Sequence, residues 1–232
     1  MFTGIGSTIP RIANLPGSSR PGGGGSGPFE YTAIDNTYSM EFDGTNYVES
    51  SYTGNVTTLS LWFKPNTTIT TSSTGQCLVG FEDSGNFSGI YLGSFTGSIS
   101  NELITIKTTA SSNASYYSQL GGTINTDWHH LAIVGTGTQY DIYLDNVNVF
   151  SGNLGGDVAL INASRLDIGT RILGGSISAP FVGLIDEVAV WNTALSEGTI
   201  EAIYNTTNDN SGKAANLLET PEGAPVAWYR FE

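Results

Sequence analysis

A single cysteine, Cys77, denies this chain an internal disulfide framework, so packing alone must hold it together. Charged residues are scarce at 12%, roughly half the share of an ordinary globular protein. Basic ones are scarcer still: 8 Lys and Arg face 21 Asp and Glu, for a net charge of −13. Such a surface repels phosphate backbones and anionic headgroups, which argues against nucleic acid and against an anionic membrane as partners. No apolar run reaches the ~20 residues of a membrane-spanning helix. The opening "MFTGIGSTIPRIANLPG" also lacks the continuous apolar block of a secretory signal. Glycine, serine, threonine and asparagine fill the space instead, and they suit many short strands joined by polar turns. Six Asn-x-Ser/Thr sequons, at Asn55, Asn66, Asn86, Asn113, Asn162 and Asn205, are what chance gives so Asn- and Thr-rich a chain.

Histidine is nearly absent as well. The only two, His129 and His130, stand side by side in "DWHHLAIV". From Trp128 to Val134 the run is apolar and reads as a strand. Successive strand side chains leave on opposite faces, so the pair cannot chelate one ion together. His129 shares a face with Leu131 and Ile133, and His130 with Trp128, Ala132 and Val134. Both faces read as covered, and both histidines as structural.

Residues 1–29 differ from the rest. They hold four of the eight prolines, two of the five arginines and the run "PGGGGSGP". That composition cannot bury enough surface to fold alone, and it reads as an extended anchoring arm held by neighbouring subunits. Residues 30–232 read as one β-sandwich domain. Strand signals recur in "YSMEFDG", "NYVES", "TTLSLWFKP", "CLVGFE", "SGIYLGS", "ELITIKT", "HLAIV", "QYDIYLD", "VNVFSG", "RLDIGTR", "PFVGLIDEVAVW" and "VAWYRFE". Asp145-Asn146 supplies a tight hairpin turn. Ile185 and Val188 lie three apart and share a face only if Asp186-Glu187 forms a bulge. In "ALSEGTIEAIYN", Ser196 can cap a short helix with Ile200, Ile203 and Tyr204 on one side. Many short strands with one lid helix predict an all-β sandwich of two antiparallel sheets.

These residues resemble the laminin-G-like branch of the concanavalin A-like lectin/glucanase fold. The matching stretches are "YSMEFDGTNYVES", "LSLWFKP", "DWHHLAIV", "YDIYLDNVNV" and "FVGLIDEVAVWNTALSEGTIEAIYN", spread over most of residues 38–205. The resemblance implies a jelly-roll sandwich, and the tryptophan–histidine pair is one of its marks. Two departures stand out: Asp145-Asn146 replaces a usual Asp-Gly, and Thr199 replaces the Glu that often completes a capping box. The ending "AWYRFE" resembles a segment that often opens such domains, which implies adjacent terminal strands or a permutation.

The resemblance also implies places to look for chemistry. Laminarinase-like relatives carry E-x-D-x-x-E on one strand. Here Glu41 and Asp43 begin that pattern, but Asn46 holds the third position and Gly44 makes a turn. Retaining hydrolysis needs two carboxyls roughly 5 Å apart, so hydrolase activity is disfavoured. A structural calcium is implied at Asp43, Gly44 and Asp186. For sugar contact the candidates are Tyr91, Phe95, Tyr116 and Tyr117, which flank Gly/Ser/Asn-rich stretches, with core packing as the competing reading. Trp62, Trp128, Trp191 and Trp228 read as core.

A sandwich behind a Pro/Gly-rich arm further resembles phage virion surface proteins, such as capsid decoration or fibre modules. On that reading the domain is a non-enzymatic module at the virion surface, oligomeric in context. Phe2, Ile5, Ile9, Ile12 and Leu15 would lie against other virion subunits, Arg11 and Arg20 would pair with acidic partner surfaces, and the sandwich would face host glycans. The alternatives are an extracellular calcium-dependent lectin and, less favoured, a glycoside hydrolase.

Overall fold

Alternating apolar residues between glycine-rich turns build two stacked antiparallel sheets. The structure, a computed structural model, describes residues 29–83, 86–94, 103–107, 115–118, 123–135, 139–153, 162–173, 175–207 and 213–231. The first half of the chain forms β1 (Ala33–Asp35), β2 (Met40–Asp43), β3 (Val48–Ser50), β4 (Gly54–Asn55), β5 (Thr58–Pro65), β6 (Gln76–Asp83), β7 (Asn86–Leu92), β8 (Ile104–Lys107) and β9 (Ser115–Ser118). The second half forms β10 (His129–Gly135), β11 (Gln139–Leu144), β12 (Val147–Asn153), β13 (Asn162–Ala163), β14 (Arg165–Ile168), β15 (Arg171–Leu173), β16 (Ser176–Ser178) and β17 (Val182–Trp191). Helix α1 (Glu197–Thr207), β18 (Lys213–Ala215), a 3-10 turn at Leu217–Glu219 and β19 (Ala227–Tyr229) complete it. Among the described residues no helix is long and apolar enough to cross a membrane.

A seven-stranded sheet runs β12-β11-β10-β5-β17-β19, with β2 also on β17, and a six-stranded sheet runs β3-β14-β6-β7-β8-β9. β2 pairs with Val182–Ile185 of β17, and β19 with Val188–Val190. β2 and β19 therefore lie end to end along one edge of β17, while the first strand, β1, pairs with β18.

Period two sets the layers. Leu59, Leu61 and Phe63 of β5, with Leu131 and Ile133 of β10, point inward against Val79, Phe81, Ile90, Ile106, Leu166 and Ile168 of the other sheet. Each such side chain contributes about 1.5–3 kcal/mol on burial. Ile185 and Val188 both enter this core because the register of β17 slips between Asp186 and Ala189, where Glu187 takes a φ of 52°. The expected bulge is there. So is the hairpin turn: Asp145 and Asn146 have φ of 50° and 62°, the paired left-handed conformation of a two-residue turn.

The outer face of the seven-stranded sheet is closed by α1 and the C-terminal segment. Ala132, Val134, Ala189 and Trp191 pack there against Ile200, Ile203, Leu217 and Tyr31. Tyr204 stacks on Trp62 with ring centres 5.8 Å apart.

One strand reading needs correction. "RLDIGTR" is not a single strand, because the chain turns at Gly169, whose φ is 83°. A side chain at Gly169 would collide with the Phe42 ring. The turn sends β15 and β16 back over the outer face of the six-stranded sheet. A Cβ on Gly80 would stand 2.6 Å from the Thr170 carbonyl oxygen, so that hairpin lies directly on the sheet.

Candidate functional site

The outer face of the six-stranded sheet stays open beside the β15–β16 hairpin. Register aligns Glu49 of β3 with Asp167 of β14, and Asp167 with Gly80 of β6. Arg165, two residues from Asp167 and thus on the same face, aligns with Glu82. Its guanidinium donates from Nε to Asp167 Oδ1 at 2.9 Å and from Nη2 to Oδ2 at 3.1 Å. The same Nη2 lies 3.0 Å from Glu82 Oε2. Asp167 is 2% exposed, whereas the Arg165 and Glu82 side chains are 24% and 34% exposed. Burial pushes the Asp167 carboxyl up to about 6 against the pull of the guanidinium. The result is a row of hydrogen-bonding groups held flat by a rigid sheet, with Glu49 exposed at its edge. The sequence carries its signal: Arg165 and Asp167 alternate with the core residues Leu166 and Ile168.

Of the aromatic candidates, Tyr91 is corrected. It is fully buried, with the Arg171 guanidinium 6.0 Å from its ring centre. The β15–β16 hairpin covers it, so it cannot offer its ring to a ligand. Tyr116 and Tyr117 align with Ile106 and Thr105 from the edge strand β9. Phe95 lies outside the described residues, as do the arm residues Phe2, Ile5, Ile9, Arg11, Ile12, Leu15 and Arg20.

Of the residues expected at a calcium site, Asp43 and Asp186 are not brought together. Asp43 pairs with Val182, and Asp186 lies four residues further along β17, about 13 Å at the usual strand rise. Asp43 accepts the Thr45 amide and hydroxyl at 2.8 and 2.7 Å, so it serves the turn at Gly44, whose φ is 88°. Asn46 completes that turn, accepting the Asp43 amide and donating to the Glu41 carbonyl. Among the described residues, no three His, Cys, Asp or Glu side chains gather to hold a metal.

Asp186 belongs instead to a knot at the bulge. It accepts from Asn36 Nδ2 at 3.0 Å and from the Glu187 amide at 2.8 Å. Burial, then the charge of Glu187, pushes its carboxyl up to about 7. Glu187 accepts from Asn36 and from Trp228 Nε1 at 2.5 Å, with Arg230 Nε 3.4 Å away. This arrangement ties the segment after β1 to the last strand.

The histidines divide as the alternation predicts. His129 sits against Phe63, with Nδ1 2.7 Å from Asp145 Oδ2. His130 is fully buried beneath Trp62 and α1, its Nε2 2.8 Å from Ser60 Oγ. Burial pushes its imidazole down to about 4. The Cys77 thiol is buried and pushed far up by desolvation, which denies it a nucleophilic role.

Known proteins share this architecture. Domain 4 of a GH43 extracellular arabinanase from Geobacillus stearothermophilus, solved with arabinotriose, superposes with a TM-score of 0.53 at 20% identity, covering 77% of this chain and 81% of that one. The NanB sialidase of Streptococcus pneumoniae gives 0.54 at 17% identity over 73% of this chain, which spans only 28% of the sialidase. The CBM40 domain of the Ruminococcus gnavus IT-sialidase, bound to alpha2,3 sialyllactose, gives 0.51 at 13% identity over 74% of this chain and 96% of that domain. At these identities the likeness is one of fold. No curated protein matches the sequence. The laminin G family described as "Concanavalin A-like lectin/glucanases superfamily" matches residues 41–201. The chain belongs to the concanavalin A-like lectin/glucanases superfamily.

Proposed function

We propose that this chain is a non-catalytic glycan-binding module whose contact surface is the outer face of the six-stranded sheet. The observation that carries the reading is the asymmetry of the sandwich: α1 closes one outer face, while the other presents Arg165, Glu82 and Glu49 on rigid strands. Guanidinium donors and carboxylate acceptors complement sugar hydroxyls, which both donate and accept. The sugars held by the arabinanase domain and the CBM40 domain support this reading. A hydrolytic role has no support from Glu41 and Asp43, since Asn46 is spent on the turn. A glycan array probed with the full chain, with and without chelator, tests the reading and its metal dependence. Binding of a defined sugar that Glu82→Ala weakens supports it; no glycan binding at all defeats it.

The composition of residues 1–29 favours an added role, display on a larger assembly such as a virion surface. Deleting those residues is expected to leave a folded sandwich that no longer joins its assembly, and continued incorporation would refute the anchoring role. An extracellular lectin remains the alternative setting for the same sheet face.

A further inference from the structure

We infer that this face selects neutral oligosaccharides and rejects sialylated or otherwise anionic ones, an inference that rests on the glycan-binding reading above. Recognition of a sugar carboxylate calls for a cation with free donors, most often an arginine offering two parallel N–H groups. Neither arginine here offers such a two-nitrogen edge. Arg165 gives Nε and Nη2 to Asp167, and Nη2 also serves Glu82. Arg171 is 7% exposed, lies over Tyr91, and donates from Nη2 to Ser178 Oγ at 3.0 Å. What reaches solvent is acidic: Glu49 and the outer part of Glu82, with Asp167 directly beneath. An incoming carboxylate therefore meets like charge and no uncommitted two-nitrogen edge, whereas single neutral hydroxyls need only the carboxylate acceptors and one donor at a time.

Lys107 is the other cation assigned to this sheet. On β8 it pairs with Gly89 of β7, two strands from Glu82 on β6 and four from Glu49 on β3 at the sheet's edge. Four strand spacings are about 19 Å, and the Thr170–Arg171 segment crosses the sheet between Lys107 and Glu49 at Gly80. The net charge of −13 over the whole chain adds to the discrimination.

The test is calorimetric titration of the full chain with arabinotriose, lactose and alpha2,3 sialyllactose, the last two differing by one anionic sugar. A neutral sugar should bind, with sialyllactose at least about tenfold weaker than lactose. Sialyllactose binding as well as lactose would overturn the inference while leaving the glycan-binding reading intact. Binding of none of these, nor of any sugar on a wider array, would overturn both. Glu82→Gln removes one carboxylate from the Arg165 fork, and Glu49→Gln removes an exposed charge. Each should raise the affinity for sialyllactose relative to lactose several-fold. Lys107→Ala should leave that ratio unchanged. An unchanged ratio in both glutamine variants, or loss of sialyllactose binding in the lysine variant, would also refute it.

Discussion

Glu222 accepts the backbone amide of Ser196 at 2.9 Å and so supplies the capping acid missing at position 199. Where a capping box would place Glu, the chain has Thr199, and the Thr199 hydroxyl itself donates to both Glu222 oxygens at 2.9 and 3.0 Å. Ser196 Oγ still takes the Thr199 amide at 3.3 Å. The reciprocal cap is thus complete, its second half delivered by the C-terminal segment.

Glu222→Ala should therefore behave as the loss of a helix cap. About 1 kcal/mol of stability, or a fall in Tm of ~2–4 °C, is the expected cost by thermal unfolding at pH 7. Burial works to raise the Glu222 carboxyl, but the Ser196 and Thr199 hydrogen bonds outweigh it and hold it below the ordinary value. A depressed carboxylate stabilises above its unfolded pKa and stops doing so as pH falls through its folded one. The gap between wild type and variant should close in acid; a gap of equal size at pH 3 would exclude the carboxylate clamp.

The buried acids at the bulge act in the opposite sense. Asp186, pushed up to about 7 in the fold, titrates near 4 when unfolded. Between those values the folded state holds a proton that the unfolded chain releases, so this group makes stability fall as pH rises across the window. Asp167, at about 6, adds slope of the same sign, and His130 adds slope of the other. The measurement is thus a difference: urea unfolding of Asp186→Asn against wild type from pH 4 to 8. The variant should show the less negative slope between pH 4 and 7, and parallel curves would place Asp186 in solvent.

What the sequence disclosed was what alternation and local turns encode. Leu59, Leu61 and Phe63 declare their face by period two, and Ile185 and Val188 betray the bulge by breaking it. Asp145-Asn146 and Ser196 act within a few residues of themselves. Contacts made across the fold were hidden. Glu222 reaches Ser196 from 26 residues away, and Tyr91 looks exposed until the turn at Gly169 brings a hairpin over it. The pattern of Arg165 and Asp167 was present but passed for an ordinary strand, because its meaning depends on Glu82 and Glu49 arriving from other strands. Asp43 and Asp186 were joined by family likeness, and register along β17 separates them.

Gly169 is where backbone conformation and packing both decide the outcome. Its φ of 83° disfavours any L side chain, and a Cβ would enter the Phe42 ring. Gly169→Ala should cost about 3 kcal/mol, combining backbone strain with overpacking, and lower Tm by ~6–12 °C. Gly175 is the matched control: its φ is 79°, and nothing lies within 4 Å of where a Cβ would stand. Gly175→Ala should cost only about 1 kcal/mol. Equal losses at the two sites would mean that Phe42 yields without penalty.

His130 offers a direct reading of whether α1 closes its face of the sandwich in solution. Its imidazole is fully buried beneath Trp62 and Tyr204, with Nε2 on Ser60 and no partner at Nδ1. Charging such a ring would put an unmatched cation in an apolar layer, and the nearby Asp145 offsets this only in part. In an NMR titration the His130 ring signals should hold their neutral positions as pH falls through 6 and begin to move only near 4. The sign carries to stability: the unfolded chain takes up this proton first, so folding weakens as pH drops from about 6.5. His130→Phe should remove that loss. A ring that titrates like free histidine would mean that α1 leaves Trp62 and Ser60 open to water, and the asymmetry between the two outer faces would then disappear.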